Sequence, residues 1–247
     1  MVDKKKNNKH SISLSKYIAH TGTCSRRKAT MLIRDGLVMV NNQVITKPEH
    51  KVEQADEVKV KGKVVKPIQA TLYILLNKPK DYITTLADEA DRRTVIDLIK
   101  PAITQRVYPV GRLDRNTTGL LLLTNDGALA HILTHPRYQV KKIYHVVLKR
   151  SLQEDDLQKI KSGVALEDGV AMVDGIYFIL NKPRNYLRLV LHSGKYRVIR
   201  RLFEKLGYTV VKLDRIEYAG LTKKGLPVGV WRYLTEKEIA LLKKYES

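Results

Sequence analysis

Residues Tyr108 to Gly127 read Y-P-V-G-R-L-D-R-N-T-T-G-L-L-L-L-T-N-D-G, and the reading of this stretch decides the fold. Pro109 to Leu113 opens it as a short extended run. Asp114 falls in the polar break Arg115-Asn116-Thr117-Thr118, which Gly119 punctuates. Leu120 to Leu123 is a continuous apolar run, the pattern of a strand buried on both faces. The arrangement sets one carboxylate, flanked by Arg112 and Arg115, at the mouth of a sheet. A carboxylate beside guanidinium groups is held in its charged form. Taken alone, R-L-D in a turn reads better as a surface aspartate salt-bridged to its neighbours, since short polar turns are common.

The surrounding composition narrows the partners. A chain of 247 residues suits a small domain plus a larger one, and 43% hydrophobic residues suffice for a real core. Lysine and arginine number 46 against 25 acids, a formal net charge of +21, so the expected partner is a polyanion and nucleic acid comes first. A membrane is not expected, because no apolar run approaches the roughly 20 residues that a spanning helix needs. The single cysteine, Cys24, excludes an intramolecular disulfide framework and fits a reducing compartment. The lysine-rich start has no apolar segment behind it, and a cytoplasmic protein is expected. No phosphate-binding loop, dinucleotide turn or Cys/His cluster occurs, so neither cofactor nor metal is expected.

Along the chain, residues 1–12 read as a disordered basic tail. Leu14, Tyr17 and Ile18 fall on one helical face. Ser25 reads as the N-cap of a second helix, Arg26 to Asp35, stopped by Gly36. Strands are expected at Leu37–Val40 and Gln43–Ile45, joined by Asn41-Asn42 in a tight hairpin, and again at Val58–Lys61. Residues 1–66 carry 15 lysines and arginines against 6 acids. Lys66 to Ala70 reads as a linker.

Beyond it, Thr71–Leu76 reads as a buried strand and Thr94 as the cap of a short helix through Lys100. Asp126 precedes a helix over residues 128–133. Lys141–Val147 and Tyr186–Leu191 alternate as strands. Ser151 with Glu154 and Thr235 with Glu238 read as capping boxes. Tyr208–Tyr218 reads as a strand pair, and Trp231 is expected to pack the last helix against the sheet.

Three segments together carry a family resemblance. Gly111, Arg112, Leu113, Asp114, Thr117, Gly119, Leu120 and Thr124 fill every fixed position of G-R-L-D-x-x-[ST]-x-G-L-x-x-x-T. Asn77-Lys78-Pro79 resembles the motif N-K-P-x-G, with Asp81 where glycine is usual. Gly194 to Phe203 resembles G-[KR]-x-[RH]-x-[VI]-[RK]-R-[ML]-F, with Val198 where a polar residue is frequent. The chain thus resembles the ribosomal RNA pseudouridine synthases of the RsuA/RluB type. Residues 13–62 resemble the alpha-L RNA-binding module of ribosomal protein S-four.

The resemblance implies an α+β protein: a small alpha-L domain over residues 13–66, a linker at 67–71, and a catalytic domain over 72–247 built on a mixed, mainly antiparallel sheet flanked by helices. It implies a monomer that isomerises uridine in ribosomal RNA, or in a ribosomal assembly intermediate, without cofactor. The large subunit is the mildly favoured source. Asp114 is implied as the catalytic carboxylate, Tyr144 as the ring that stacks on the uracil, and Arg200 as the partner of Asp114. Arg112 is implied to fill the space left by the extruded base. Lys78, Lys195, Arg197 and Ile199 are implied at the substrate, and Lys16, Ser25, Arg26, Arg27, Lys28 and Arg34 on structured RNA. Whether Asp114 attacks the sugar, attacks the base or removes a sugar proton stays open. A non-catalytic RNA-binding assembly factor is the alternative.

Overall fold

In the computed structural model, which describes residues 11–68 and 70–246, the chain divides into a smaller unit ending at Thr71 and a larger one beginning at Leu72. Most of the expected basic tail, residues 1–10, and position 69 of the linker lie outside the described residues. Ile12, placed by the sequence in that tail, instead belongs to strand β1 (Ile12–Ser13). In the smaller unit β1 is followed by α1 (Leu14–His20), α2 (Arg26–Arg34), β2 (Val38–Val40), β3 (Gln43–Val44), β4 (Lys51–Val52), β5 (Val58–Val60) and β6 (Lys63–Val65).

Ser25 caps α2 by accepting the Lys28 N–H at 3.2 Å. Asn41 and Asn42 take φ of 50° and 63°, the paired left-handed turn that joins β2 to β3. Leu14, Ile18, Ala29 and Ile33 bury one face of both helices against Val38, Val52 and Val58. β6 pairs with β5 and β4 pairs with β1, two short strands with no signal in the residue pattern.

The larger unit runs β7 (Tyr73–Lys78), β8 (Tyr108–Pro109), β9 (Thr118–Thr124), α3 (Gly127–Thr134), β10 (Lys142–Leu148), α4 (Glu154–Ser162), β11 (Val164–Leu166), β12 (Gly169–Ala171), β13 (Gly175–Phe178), β14 (Tyr186–Leu191), α5 (Val198–Lys205), β15 (Val210–Tyr218), β16 (Leu221–Thr222), β17 (Trp231–Tyr233) and α6 (Glu236–Lys243). Among the described residues nine of these strands form one sheet, in the order β13-β14-β10-β15-β9-β7-β17, with β8 and β16 at its margins. Its pairings are antiparallel except β9 with β15. The fold is therefore the mixed, mainly antiparallel α+β type that the resemblance implies.

β9 is buried on both faces, as its leucine run requires. Leu120 and Leu122 pack with α3 and α6, while Leu121 and Leu123 pack with Val95, Ile99 and Val107. α4 and α5 cover the other half of the sheet through Leu157, Ile160, Leu202 and Phe203 on Leu187, Leu189 and Val146.

Four local expectations are corrected. The helix expected from Thr94 is a series of turns. Asp97 does reach back to the Thr94 N–H at 2.7 Å. However, β-branched Val95, Ile96 and Ile99 resist helix, and Val95 and Ile99 bury fully as the segment bridges Ile83. Ser151 caps nothing: α4 begins after Gln153, because Leu152 is drawn into the core and Tyr208 ties the first turn through Asp156 at 2.7 Å. Tyr208–Tyr218 contains one long strand in place of a pair. Trp231 packs on the Ile74 and Leu76 face of the sheet, opposite the face that receives α6.

At the junction of β9 and β15 the backbones approach so closely that only glycine fits. Gly119 has φ 107°, and a Cβ there would lie 2.2 Å from the Arg215 carbonyl oxygen and 2.6 Å from its nitrogen. Gly119→Ala should therefore lower the melting temperature by about 6 °C or more, the equivalent of at least ~2 kcal/mol. Gly225→Ala, also at positive φ but with open space around it, should cost far less. Equal shifts in a thermal melt would refute the backbone clash.

Candidate active site

The loop that carries Asp114 joins β8 to β9, and two buried residues anchor its start, Val110 on one face of the sheet and Leu113 on the other. Five consecutive carbonyls in it accept hydrogen bonds. The Thr84 hydroxyl donates to Leu113 O at 2.8 Å, and the Thr117 N–H donates to Asp114 O at 3.0 Å. Arg115 O accepts from the Asp81 N–H at 3.0 Å and from Lys78 Nζ at 3.2 Å. Asn116 O accepts from Arg200 Nη2 at 3.5 Å, and Thr117 O from Lys78 Nζ at 2.8 Å. Asp81 makes its turn at φ 67°, which aspartate tolerates better than most residues. With its backbone fixed in this way, the half-buried carboxylate of Asp114 has little freedom of position.

The cations beside it are not its sequence neighbours Arg112 and Arg115; they include Arg200, the partner that the resemblance implied. Arg115 turns away and bridges Asp81 at 3.2 Å, and Arg112 is exposed at the cleft. The charges that meet Asp114 come from the start of α5: Arg197 Nη1 lies 3.5 Å and Arg200 Nε 3.9 Å from Asp114 Oδ2. Arg197 holds the left-handed conformation, φ 46°, at the helix N-cap without a side-chain cap bond. Such strain in a non-glycine residue is tolerated where the surroundings fix it. Arg200 is buried, donates to Val210 O at 3.0 Å, and keeps its Nε without a hydrogen-bond partner, turned towards Asp114. Burial first, and then Arg197, push its guanidinium below the usual range, while Asp114 acts the other way.

Asp114, Tyr144, Arg112, Lys195, Arg197 and Ile199 all line one cleft of about 590 Å³, in which Asp114 is the sole carboxylate among the lining residues. Tyr144 stands opposite Arg215 across β10 and β15, and Arg215 stands beside Gly119 of β9. The ring thus sits two strands from the loop that carries Asp114. Val198, at the position where a polar residue was expected, is buried at the cleft wall and offers no hydrogen bond.

Two expected residues have other work. Lys78 is fully buried outside the cleft lining, and its Nζ donates to the carbonyls of Pro79, Arg115 and Thr117. Its three N–H bonds are spent, so it supports the loop and is not placed to contact a ligand. Lys195 reaches the cleft wall but donates to Asp168 O at 2.7 Å, and Arg201 grips the Asp168 carboxylate with both Nη atoms. In the smaller unit Lys16, Arg26, Arg27, Lys28 and Arg34 are exposed, whereas the Ser25 hydroxyl is engaged in capping α2.

Sequence reasoning missed Lys142 and Arg215, which also line the cleft, and the clamp at Thr84. The K-x-Y spacing contained the signal for Lys142. Arg215 lies in an alternating strand and had none. Among the described residues no group of three His, Cys, Asp or Glu side chains is placed to hold a metal ion.

Comparison with known proteins gives concordant matches. Residues 72–205 match the family model for RNA pseudouridylate synthases, and residues 13–58 match that for the S4 domain. The chain is similar to the ribosomal large subunit pseudouridine synthase B of Bacillus subtilis, 42% identical over 93% of this chain and 95% of the relative. It is also similar to an uncharacterized RNA pseudouridine synthase of Aquifex aeolicus, 41% identical over 94% of each chain. A solved crystal structure of a pseudouridylate synthase superposes with a TM-score of 0.66 at 28% identity, over 94% of this chain and 99% of that one.

The Lys78 clamp makes a prediction of its own. Lys78→Met leaves carbonyls in a buried setting without their donor, and should destabilise the protein by roughly 3 kcal/mol. Chemical denaturation measures the loss. A variant as stable as the parent would remove the ammonium from the account of the loop.

Proposed function

The chain belongs to the RNA pseudouridylate synthase family, and on that premise we propose that it converts one uridine of large-subunit ribosomal RNA to pseudouridine. The observation that carries this reading is Asp114, the lone carboxylate lining a cationic cleft it shares with Tyr144. The name of the Bacillus subtilis relative supports the large subunit as the source of the RNA.

In the reaction the C1′–N1 bond opens, the uracil turns, and C1′ bonds to C5; the C5 proton is lost and N1 gains one, so the product is an isomer. Asp114 faces the sugar and supplies the negative charge that the opening bond calls for. Arg197 and Arg200 hold that carboxylate in place. Tyr144 stacks on the uracil as it turns. A uridine in folded RNA must leave its stack to enter the cleft, and Arg112, exposed at the mouth, fills the vacated space. Residues 13–66, tied to the catalytic domain by the linker 67–71, dock on RNA phosphates through Lys16, Arg26, Arg27, Lys28 and Arg34; such contacts position the protein without reading sequence. The enzyme acts as a cytoplasmic monomer, and no helix among the described residues is long and apolar enough to cross a membrane.

Mapping pseudouridine in ribosomal RNA from cells lacking the protein should show one position reverting to uridine. Asp114→Asn should abolish product and leave RNA affinity nearly unchanged, the outcome that separates an enzyme from an assembly factor; retained turnover refutes the role of Asp114. Arg200→Ala should lower kcat about 100-fold through misplacement of the carboxylate, with a much smaller effect in filter binding. RNA affinity should fall steeply with salt. Replacing Arg26 by alanine should flatten the plot of log affinity against log salt by about one unit. A slope near zero in the parent protein would count against the smaller unit as a docking surface.

A further inference from the structure

Two cations of the cleft have no part in the account so far. Lys142, at the start of β10, donates to Val140 O and His192 O, each at 2.7 Å, which leaves one of its three N–H bonds. Arg215 is 3% exposed. Its Nε donates to Leu120 O at 2.8 Å and its guanidinium lies 4.4 Å from the centre of the Tyr218 ring, so its plane is fixed. Its Nη2 is buried without a hydrogen-bond partner. Both side chains line the same wall as Tyr144.

The two groups repel each other. Burial first, and then the Arg215 guanidinium, push the Lys142 ammonium down to about 8. The carboxylates nearby are engaged elsewhere: Asp114 faces Arg197 and Arg200, and Asp174, whose field offsets only part of the push on the Lys142 ammonium, pairs with His192 Nδ1 at 2.7 Å. Burying one charge without a partner is costly, and burying two of the same sign beside each other is costlier still. A structure that keeps such a pair in an open cleft has positioned it for an anion. The uracil is neutral and leaves the charge uncompensated. A phosphodiester carries one negative charge and offers acceptor oxygens to both donors.

We propose that Lys142 and Arg215 form the seat of a single backbone phosphate, the one adjoining the nucleotide whose base lies on Tyr144. The inference rests on the reading of this cleft as the uridine site. The seat fixes the sugar from the backbone side while Asp114 meets it from the loop side, so the nucleotide is held at both ends when its base turns. It also discriminates a chain phosphate from a free nucleoside, which would leave the pair unmet.

The test uses the full chain and a ribosomal RNA stem-loop containing the mapped uridine, with each linkage beside that uridine replaced in turn by an uncharged methylphosphonate. Binding to these RNAs is measured for the parent protein, Arg215→Gln and Lys142→Gln, and turnover of the unmodified stem-loop is measured separately. The expected result is one linkage whose neutralisation weakens parent binding roughly tenfold or more, with little further loss in either variant. Should Arg215→Gln fail to fold, Lys142→Gln and the parent series carry the comparison. Linkages that all bind alike, or a loss that persists undiminished in the variants, overturn the seat. Absent turnover by the parent would instead count against the functional reading, whatever the binding series shows.

Discussion

A buried ammonium ties the loop that carries Asp114 to the sheet. Lys78 closes β7 with its side chain fully enclosed, and its Nζ reaches the carbonyls of Pro79, Arg115 and Thr117, on either side of the loop's turn. Burial lowers its pKa to about 8, with Asp114 and Asp81 pulling the other way. At neutral pH the group is therefore mostly charged, and part of what keeps it charged is the carboxylate it positions. Ammonium and carboxylate thus stabilise one another across the loop. The other clamps, from Thr84, Asp81 and Arg200, fix the same backbone at points between. A loop on a protein surface would normally be mobile; this one has too many of its carbonyls engaged to drift.

The same economy explains which parts of the fold were legible in the residues. Leu120–Leu123 declared a strand buried on both faces because four apolar residues in succession leave no side for water, and all four are fully buried. Asp81, standing where the motif has glycine, suits a left-handed turn because aspartate is among the few residues that tolerate one. The helices of the smaller unit announced themselves through Ser25, Gly36 and the apolar spacing of Leu14, Ile18 and Ile33. In each case a local constraint acts on the residue itself.

What the residues concealed depends on partners far along the chain. Arg115 stands next to Asp114 in sequence, yet it bridges Asp81, while Arg197 and Arg200, legible only through the family resemblance, meet Asp114 from more than 80 positions away. Adjacent residues in a tight loop point in different directions, so proximity in sequence was a poor guide to ion pairing. Thr94 carried a valid cap with Asp97, but burial of Val95 and Ile99 overrode the helix it would have started. Trp231 was assigned to the wrong face because strand alternation at the sheet edge, not the nearness of α6, decides where it packs. Lys78 read as a ligand contact from its motif, and only its burial shows that it clamps the loop instead.

The junction of β9 and β15 sets the spacing between the loop and the rest of the cleft. Among the described residues it is the one parallel pairing in the sheet, only two residue pairs long, and Gly119 permits it by having no side chain where the Arg215 backbone passes. That contact brings the loop carrying Asp114 beside the strand carrying Arg215, and β15 in turn aligns Tyr144. A side chain at Gly119 would separate the acid from the aromatic ring and from the paired cations in one stroke. The strain of a glycine at φ 107° is small beside the precision it confers: Gly119, Arg215 and Tyr144 stand in register across three strands, so the loop that carries Asp114 leaves the sheet one strand from Arg215 and two from the ring.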